Sequence, residues 1–133
     1  MDQKTYCMIK PDAVARGLVG RIVARFEEVG LTVERMELGM VTAEQAAANY
    51  TEHEGKPFYA GLVEYITSGP VVKMVLSGPD AVPVVRKLMG ATNPKDAAPG
   101  TIRGDFGLTL DANIVHGSDS PESAEREIAI FFS

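Results

Sequence analysis

The sequence predicts a mixed α and β domain, of the α/β or α+β class. Three observations carry this. Segments with two-residue apolar alternation take turns with segments of helical spacing, giving four strands and about five helices. Proline and glycine punctuate the joins between them. The length of 133 residues fits a single domain over 1–133, long enough to bury roughly two thirds of its unfolded surface. Alternation by itself favours a parallel sheet.

The first strand is expected from Thr5 to Lys10, with Cys7 and Ile9 on one face and Tyr6, Met8 and Lys10 on the other. Pro11 and Asp12 end it. Leu18, Ile22, Phe26 and Val29 then recur at helical spacing, and Gly30 supplies the stop. Leu31 and Val33 alternate, but Met36, Leu38 and Met40 alternate in the opposite phase, which predicts a second strand with a bulge near Arg35. Thr42-Ala43-Glu44-Gln45 is a capping box that opens a helix to about Tyr50. Another helix follows Pro57 and stops at Ser68-Gly69-Pro70. Val71 to Leu76 is a nearly unbroken apolar run, the pattern of a buried central strand. Asp80 is the expected cap of a helix ending near Met89-Gly90. From Gly90 to about Asp111 no period is visible, and irregular stretches of that length are often functional. A short strand is expected over Asn113 to His116. Ser120-Pro121-Glu122 combines a cap, a proline at the first helical position and an acid in the first turn. The buried face of that last helix is expected at Ile128 and Phe131.

Composition excludes several classes. Cys7 is the only cysteine, so disulfide scaffolds and four-cysteine zinc sites are out. The net charge is −5, from 13 basic and 18 acidic residues, which argues against nucleic acid or an acidic membrane as the primary partner. An anionic substrate remains open, because it feels only the local field of a cleft. No apolar run approaches the ~18 residues of a membrane span. The N-terminus has no basic segment followed by an apolar core, so a cytoplasmic protein is expected. The loops and motifs of P-loop ATPases, Rossmann enzymes, zincins and α/β-hydrolases are missing from the sequence.

The tightest cluster of chemical groups is Asn113-Ile114-Val115-His116-Gly117-Ser118-Asp119-Ser120. His116 ends a strand, Gly117 permits close backbone approach, and Ser118 and Asp119 precede a helix N-terminus, which favours anions. Imidazole is a competent nucleophile near neutral pH, which suits phosphoryl chemistry. A lone histidine in such a turn is more often simply half-buried, but other features accumulate. Lys10 closes a strand where it can reach a phosphate. Arg86, Thr92 and Arg103 could together hold a polyphosphate, since guanidinium groups bind phosphate oxygens bidentately. Tyr50 and Phe58 offer aromatic surface, and Phe58 at a helix start is a platform for a base. Glu127, one residue before Ile128, could orient the imidazole if the last helix packs back on the His116 strand. His53 reads as a surface residue.

These stretches, together with Ile9-Lys10-Pro11-Asp12, Arg16-Gly17-Leu18-Val19-Gly20, Lys56-Pro57-Phe58, Gly69-Pro70-Val71-Val72, Met89-Gly90-Ala91-Thr92-Asn93-Pro94 and Pro99-Gly100-Thr101-Ile102-Arg103-Gly104-Asp105, resemble the nucleoside diphosphate kinase family in content and order. The resemblance runs from about Thr5 to Phe132. Relatives often carry an aliphatic residue where Pro121 stands, a change the first helical position accepts.

The resemblance implies a ferredoxin-like α+β sandwich with a four-stranded antiparallel sheet, against the parallel guess from alternation. It implies ping-pong transfer of the γ-phosphate of ATP to nucleoside diphosphates through phosphorylated His116. By the same resemblance Lys10 meets the ribose hydroxyl and phosphate, and Tyr50 lies beside the histidine. Arg86, Thr92 and Arg103 hold phosphates, Asn113 binds the sugar hydroxyl, and Phe58 stacks on the base. Ser118 and Glu127 support the histidine. Mg²⁺ is held mainly by the nucleotide phosphates, and Asp119 meets it through water. The family assembles as homo-oligomers, so a hexamer is favoured, with a tetramer or dimer as alternatives.

Overall fold

The computed structural model describes residues 2–132. The strands are β1 (Asp2–Ile9), β2 (Thr32–Gly39), β3 (Val71–Pro79) and β4 (Val115–Gly117). The helices are α1 (Pro11–Ala15), α2 (Val19–Glu28), α3 (Ala43–Asn49), α4 (Tyr59–Ile66), α5 (Ala81–Met89), α6 (Ile102–Phe106) and α7 (Pro121–Phe131). Short 3₁₀ turns occupy Thr51–His53 and Pro94–Asp96.

The sheet order is β2-β3-β1-β4, and every neighbouring pair is antiparallel. The parallel guess fails for a topological reason. β1 and β2 do run the same way, as helix crossovers require, but β3 lies between them. β3 and β4 also run the same way, with β1 between them. Each β-α-β unit is therefore split, the ferredoxin-like arrangement, and the class is α+β.

Two apolar layers flank the sheet. Cys7 and Ile9 of β1 and Met74 and Leu76 of β3 pack with Ile22 and Phe26 of α2 and Val85 and Met89 of α5. On the other face Tyr6, Met8 and Val71 pack with Ala46 of α3, Ile66 of α4 and Phe131 of α7. The alternation seen in the sequence of β1 thus feeds two cores. Full burial of side chains such as Phe26 and Met74 stabilises by roughly 1.5–3 kcal/mol each.

Local chemistry explains most boundaries. Thr42 and Gln45 form the reciprocal capping box. Pro11 starts α1 and Pro121 starts α7, each where the missing N–H costs nothing. The register of β2 against β3 shifts between Val33 and Arg35, the bulge that the phase change predicts.

Five local expectations need correction. Asp80 does not cap α5 with its side chain; its φ is +53°, and Gln3 Oε1 accepts from the Val82 N–H instead. Val29 is 54 % exposed, because α2 ends before it can turn inward. The face of α7 turned to the core is Ala124, Glu127 and Phe131, while Ile128 is half-buried. The stretch from Gly90 to Asp111 is not structureless, since it holds the Pro94–Asp96 turn and α6. Finally, β4 begins at Val115 rather than Asn113, because Ile114 leaves the extended region with φ +77°.

Candidate active site

The C-terminal end of β1 and the short β4 lie side by side, with Met8 opposite His116 and Ile9 opposite Val115. This register brings Lys10 to Asn113 across 103 positions of sequence, Nζ donating to Oδ1 at 2.6 Å. Asn113 Nδ2 donates to the Thr92 carbonyl at 3.1 Å, which ties in the loop after α5. Arg86 Nη1 donates to the Gly117 carbonyl at 3.3 Å.

After His116 the chain turns into α7, with Ser120 Oγ accepting from the Ser123 N–H as its cap. Glu127 sits on the inward face of that helix, its side chain only 6 % exposed. Its Oε1 lies 2.8 Å from His116 Nε2 and accepts from Ser118 Oγ at 2.7 Å. The helix does pack back on the histidine strand. Burial pushes the Glu127 carboxyl up, but the hydrogen bond and charge of His116, with Ser118, outweigh it and hold the group below the ordinary carboxylate value. Where the imidazole is neutral, a carboxylate acceptor at Nε2 favours the Nε2–H tautomer, which places the lone pair on Nδ1. The His116 side chain keeps 34 % of its surface open.

A cleft of about 1350 Å³ opens in front of the histidine. That exceeds the usual range for small-ligand sites and leaves room for a nucleotide. Lys10, Arg86, Thr92, Tyr50 and Phe58 line it together with Asn113, His116, Asp119 and Glu127. Phe58 is 51 % exposed at the N-terminus of α4, with Lys56 Nζ over its ring at 5.8 Å. The His53 and Phe58 rings meet edge to face, 5.1 Å between centroids, so His53 belongs to the cleft wall and not to the plain surface.

Two expected site residues stand behind the wall. Ser118 is fully buried. Arg103 is 5 % exposed and belongs to α6, and its guanidinium donates to the carbonyls of Asn113, Gly90 and Val115 at 3.2, 3.1 and 2.7 Å. The sequence made Arg103 a loop residue beside flexible glycines; the structure makes it the brace of the strand that bears the histidine. Burial, and then the charge of Arg86, lower its pKa to about 10. The Lys10 pKa is lowered to about 8 by burial and then by Arg103, with Asp12 opposing. Cations that depress one another make a positive pocket inside an acidic protein, the field an anionic ligand meets. Asp119 adds one carboxylate at the rim, held ionised chiefly by a hydrogen bond from Ser123. Sequence reasoning passed over Tyr65 and Arg126, which also line the cleft; neither sits in a motif that signals a ligand.

The family model described as nucleoside diphosphate kinase matches residues 3–133. The chain belongs to the nucleoside diphosphate kinase family. A nucleoside diphosphate kinase of Archaeoglobus fulgidus is 57% identical over 131 residues, covering 98% of this chain and 87% of that protein. One of Thermus thermophilus is 58% identical over 130 residues, covering 98% and 95%. Among solved structures, a halophilic nucleoside diphosphate kinase from Halobacterium salinarum in complex with CDP superposes with a TM-score of 0.96 at 52% identity, covering 100% of this chain and 89% of that one. Identity at this level over nearly the whole chain shows the enzyme activity as well as the fold. This nucleoside diphosphate kinase is a phosphotransferase acting on nucleotides. Among its described residues no helix is long and apolar enough to cross a membrane.

Proposed function

We propose that residues 1–133 work as one nucleoside diphosphate kinase domain that transfers phosphate in two steps through His116. Nδ1 attacks the γ-phosphorus of ATP, the bond to the β–γ bridging oxygen breaks, and ADP leaves with that electron pair. A second nucleoside diphosphate then attacks the phosphohistidine by the reverse displacement. The observation that carries this reading is the Glu127–His116 pair, which engages Nε2 of a ring that lines the cleft and leaves Nδ1 as the attacking nitrogen of this reading. Ser118 supports the same carboxylate.

Lys10, Arg86 and Thr92 are the phosphate ligands of this reading, and Tyr50 packs beside the reacting group. Arg103 contributes through N–H groups left over from its three carbonyl bonds, as well as by holding the strand. Asn113 takes the sugar hydroxyl, and Phe58 stacks on the base. Stacking explains tolerance of several bases, because every base has a π-face. The CDP in the halophilic relative supports a nucleoside diphosphate as ligand.

Mg²⁺ belongs to this reading as a companion of the nucleotide. Among the described residues no group of three or more His, Cys, Asp or Glu could hold a metal. Asp119, a carboxylate at the rim held ionised chiefly by Ser123, fits an ion that the phosphates carry in and that the protein meets through water. When bound, the ion neutralises phosphate charge.

Self-association completes the reading, with a hexamer favoured over a tetramer or dimer. The support is apolar exposure: Met36, Leu38 and Met40 stand out along and just beyond the edge strand β2, and Leu108 stands out on a loop. A cytoplasmic setting fits the buried thiol of Cys7, the chain's one cysteine.

The test is intact mass after mixing with Mg-ATP. The parent should gain one phosphate, lose it on addition of GDP, and His116→Ala should gain none. An adduct that survives in the mutant would overturn the assignment.

A further inference from the structure

Among the described residues only Asp80 and Ile114 hold a positive φ without being glycine. At +77°, Ile114 is the unusual one, because a β-branched side chain collides with its own backbone there. Such a conformation persists only where the surroundings over-determine it. Its side chain is fully buried in the core, so it has no room to relax.

The surroundings are specific. The Ile114 N–H donates to Asp12 Oδ2 at 3.2 Å, across 102 positions of sequence. The Ile114 carbonyl accepts from the Lys10 N–H at 2.9 Å. Tyr65 Oη donates to the other carboxylate oxygen of Asp12, which braces the acid from α4. Arg103 holds the carbonyls on either side, those of Asn113 and Val115. The peptide so fixed joins Asn113, whose side chain meets Lys10, to the strand that carries His116.

We propose that Asp12 is a positioning residue for phosphoryl transfer: its carboxylate locks the strained Asn113–Ile114 peptide and so aims Asn113 and His116 at the nucleotide. A first-turn acid of a five-residue helix needs no bond to a residue so distant in sequence. The proposal rests on His116 as nucleophile, but its test reads out separately.

The experiment measures steady-state transfer from Mg-ATP to GDP, with phosphate on His116 followed by mass. Displacing a reacting group by about 1 Å costs on the order of a hundredfold, so Asp12→Ala should lower kcat by roughly tenfold to a hundredfold. KM should change less than kcat, since Phe58 and Arg86, two of the groups proposed to hold the nucleotide, lie outside the clamp. Asp12→Asn should recover most of kcat, its amide oxygen accepting from Ile114 and its amide N–H₂ facing Tyr65. Glycine adopts a positive φ freely, so in an Ile114→Gly background the Asp12→Ala change should cost far less than in the parent. Equal losses in the two backgrounds would overturn the proposal. So would an Asn variant as slow as the Ala variant, a comparison that stands even if Ile114→Gly does not fold. Turnover by the parent without a histidine adduct would sink the His116 reading alone, and the rate comparison among Asp12 variants would still decide the clamp.

Discussion

Glu127 Oε1 accepts from both the His116 ring, at 2.8 Å, and the Ser118 hydroxyl, at 2.7 Å. One buried oxygen therefore holds the histidine ring and the serine hydroxyl together, and the serine in turn orients the acid.

Glu127→Gln keeps the size and removes the charge. The rate of phosphohistidine formation should fall by roughly 10–100-fold, the range seen when the hydrogen-bond partner of a metal-ligating histidine is lost. Rapid-quench measurement of labelled phosphate on the protein checks this, and a rate within twofold of the parent would contradict it.

Lys10 should impose an alkaline limb. Its pKa is lowered from 10.5 to about 8, so the free enzyme loses this cation as pH rises through about 8. kcat/KM, which reports the free enzyme, should therefore decline above that pH. Lys10→Arg keeps its charge, so its profile should lack the limb whatever its absolute rate. The unfolded chain holds this proton more tightly, so the lysine's contribution to stability rises with pH between about 8 and 10.5. An unchanged limb in the arginine variant would assign it to another group.

Arg103 and Arg86 should separate in urea. Arg103→Lys removes a fork that serves three buried carbonyls and should cost about 2–4 kcal/mol. Arg86 is exposed, and Arg86→Ala should stay within about 0.5 kcal/mol while slowing transfer. Equal midpoints for the two variants would refute the bracing role.

Tyr6 carries a buried hydroxyl with no hydrogen-bond partner among the described residues, while its ring stacks on Phe131 at 4.9 Å. Tyr6→Phe keeps the stack and removes the unpaired group. Stability should rise by about 1 kcal/mol, read as a higher urea midpoint with an unchanged slope. A loss of stability would mean that the hydroxyl has a partner in solution.

Local rules made much of this fold legible. Capping at Thr42 and Ser120, the prolines at helix starts and the bulge near Arg35 are decided by neighbours within a few residues. So is the division of β1 between two faces, since side-chain alternation is a property of the strand itself. The errors fall where distant residues compete. Asp80 has the right chemistry for a cap, but Gln3 reaches the helix first. Arg103 sits among glycines that suggest an open loop, yet carbonyls far from those glycines enclose it.

The sequence by itself determined the nucleophile candidate, the family and most of its candidate site residues that line the cleft, because those signals are residue types in a fixed order. Only the tertiary structure decided the strand order β2-β3-β1-β4, the three carbonyl bonds by which Arg103 braces the histidine strand, and the grip of Asp12 on Ile114. Each of these is a pairing between segments far apart in the chain. Periodicity and spacing describe one segment at a time, whereas such pairings arise when packing of two cores brings strand ends together and their buried polar groups must find partners.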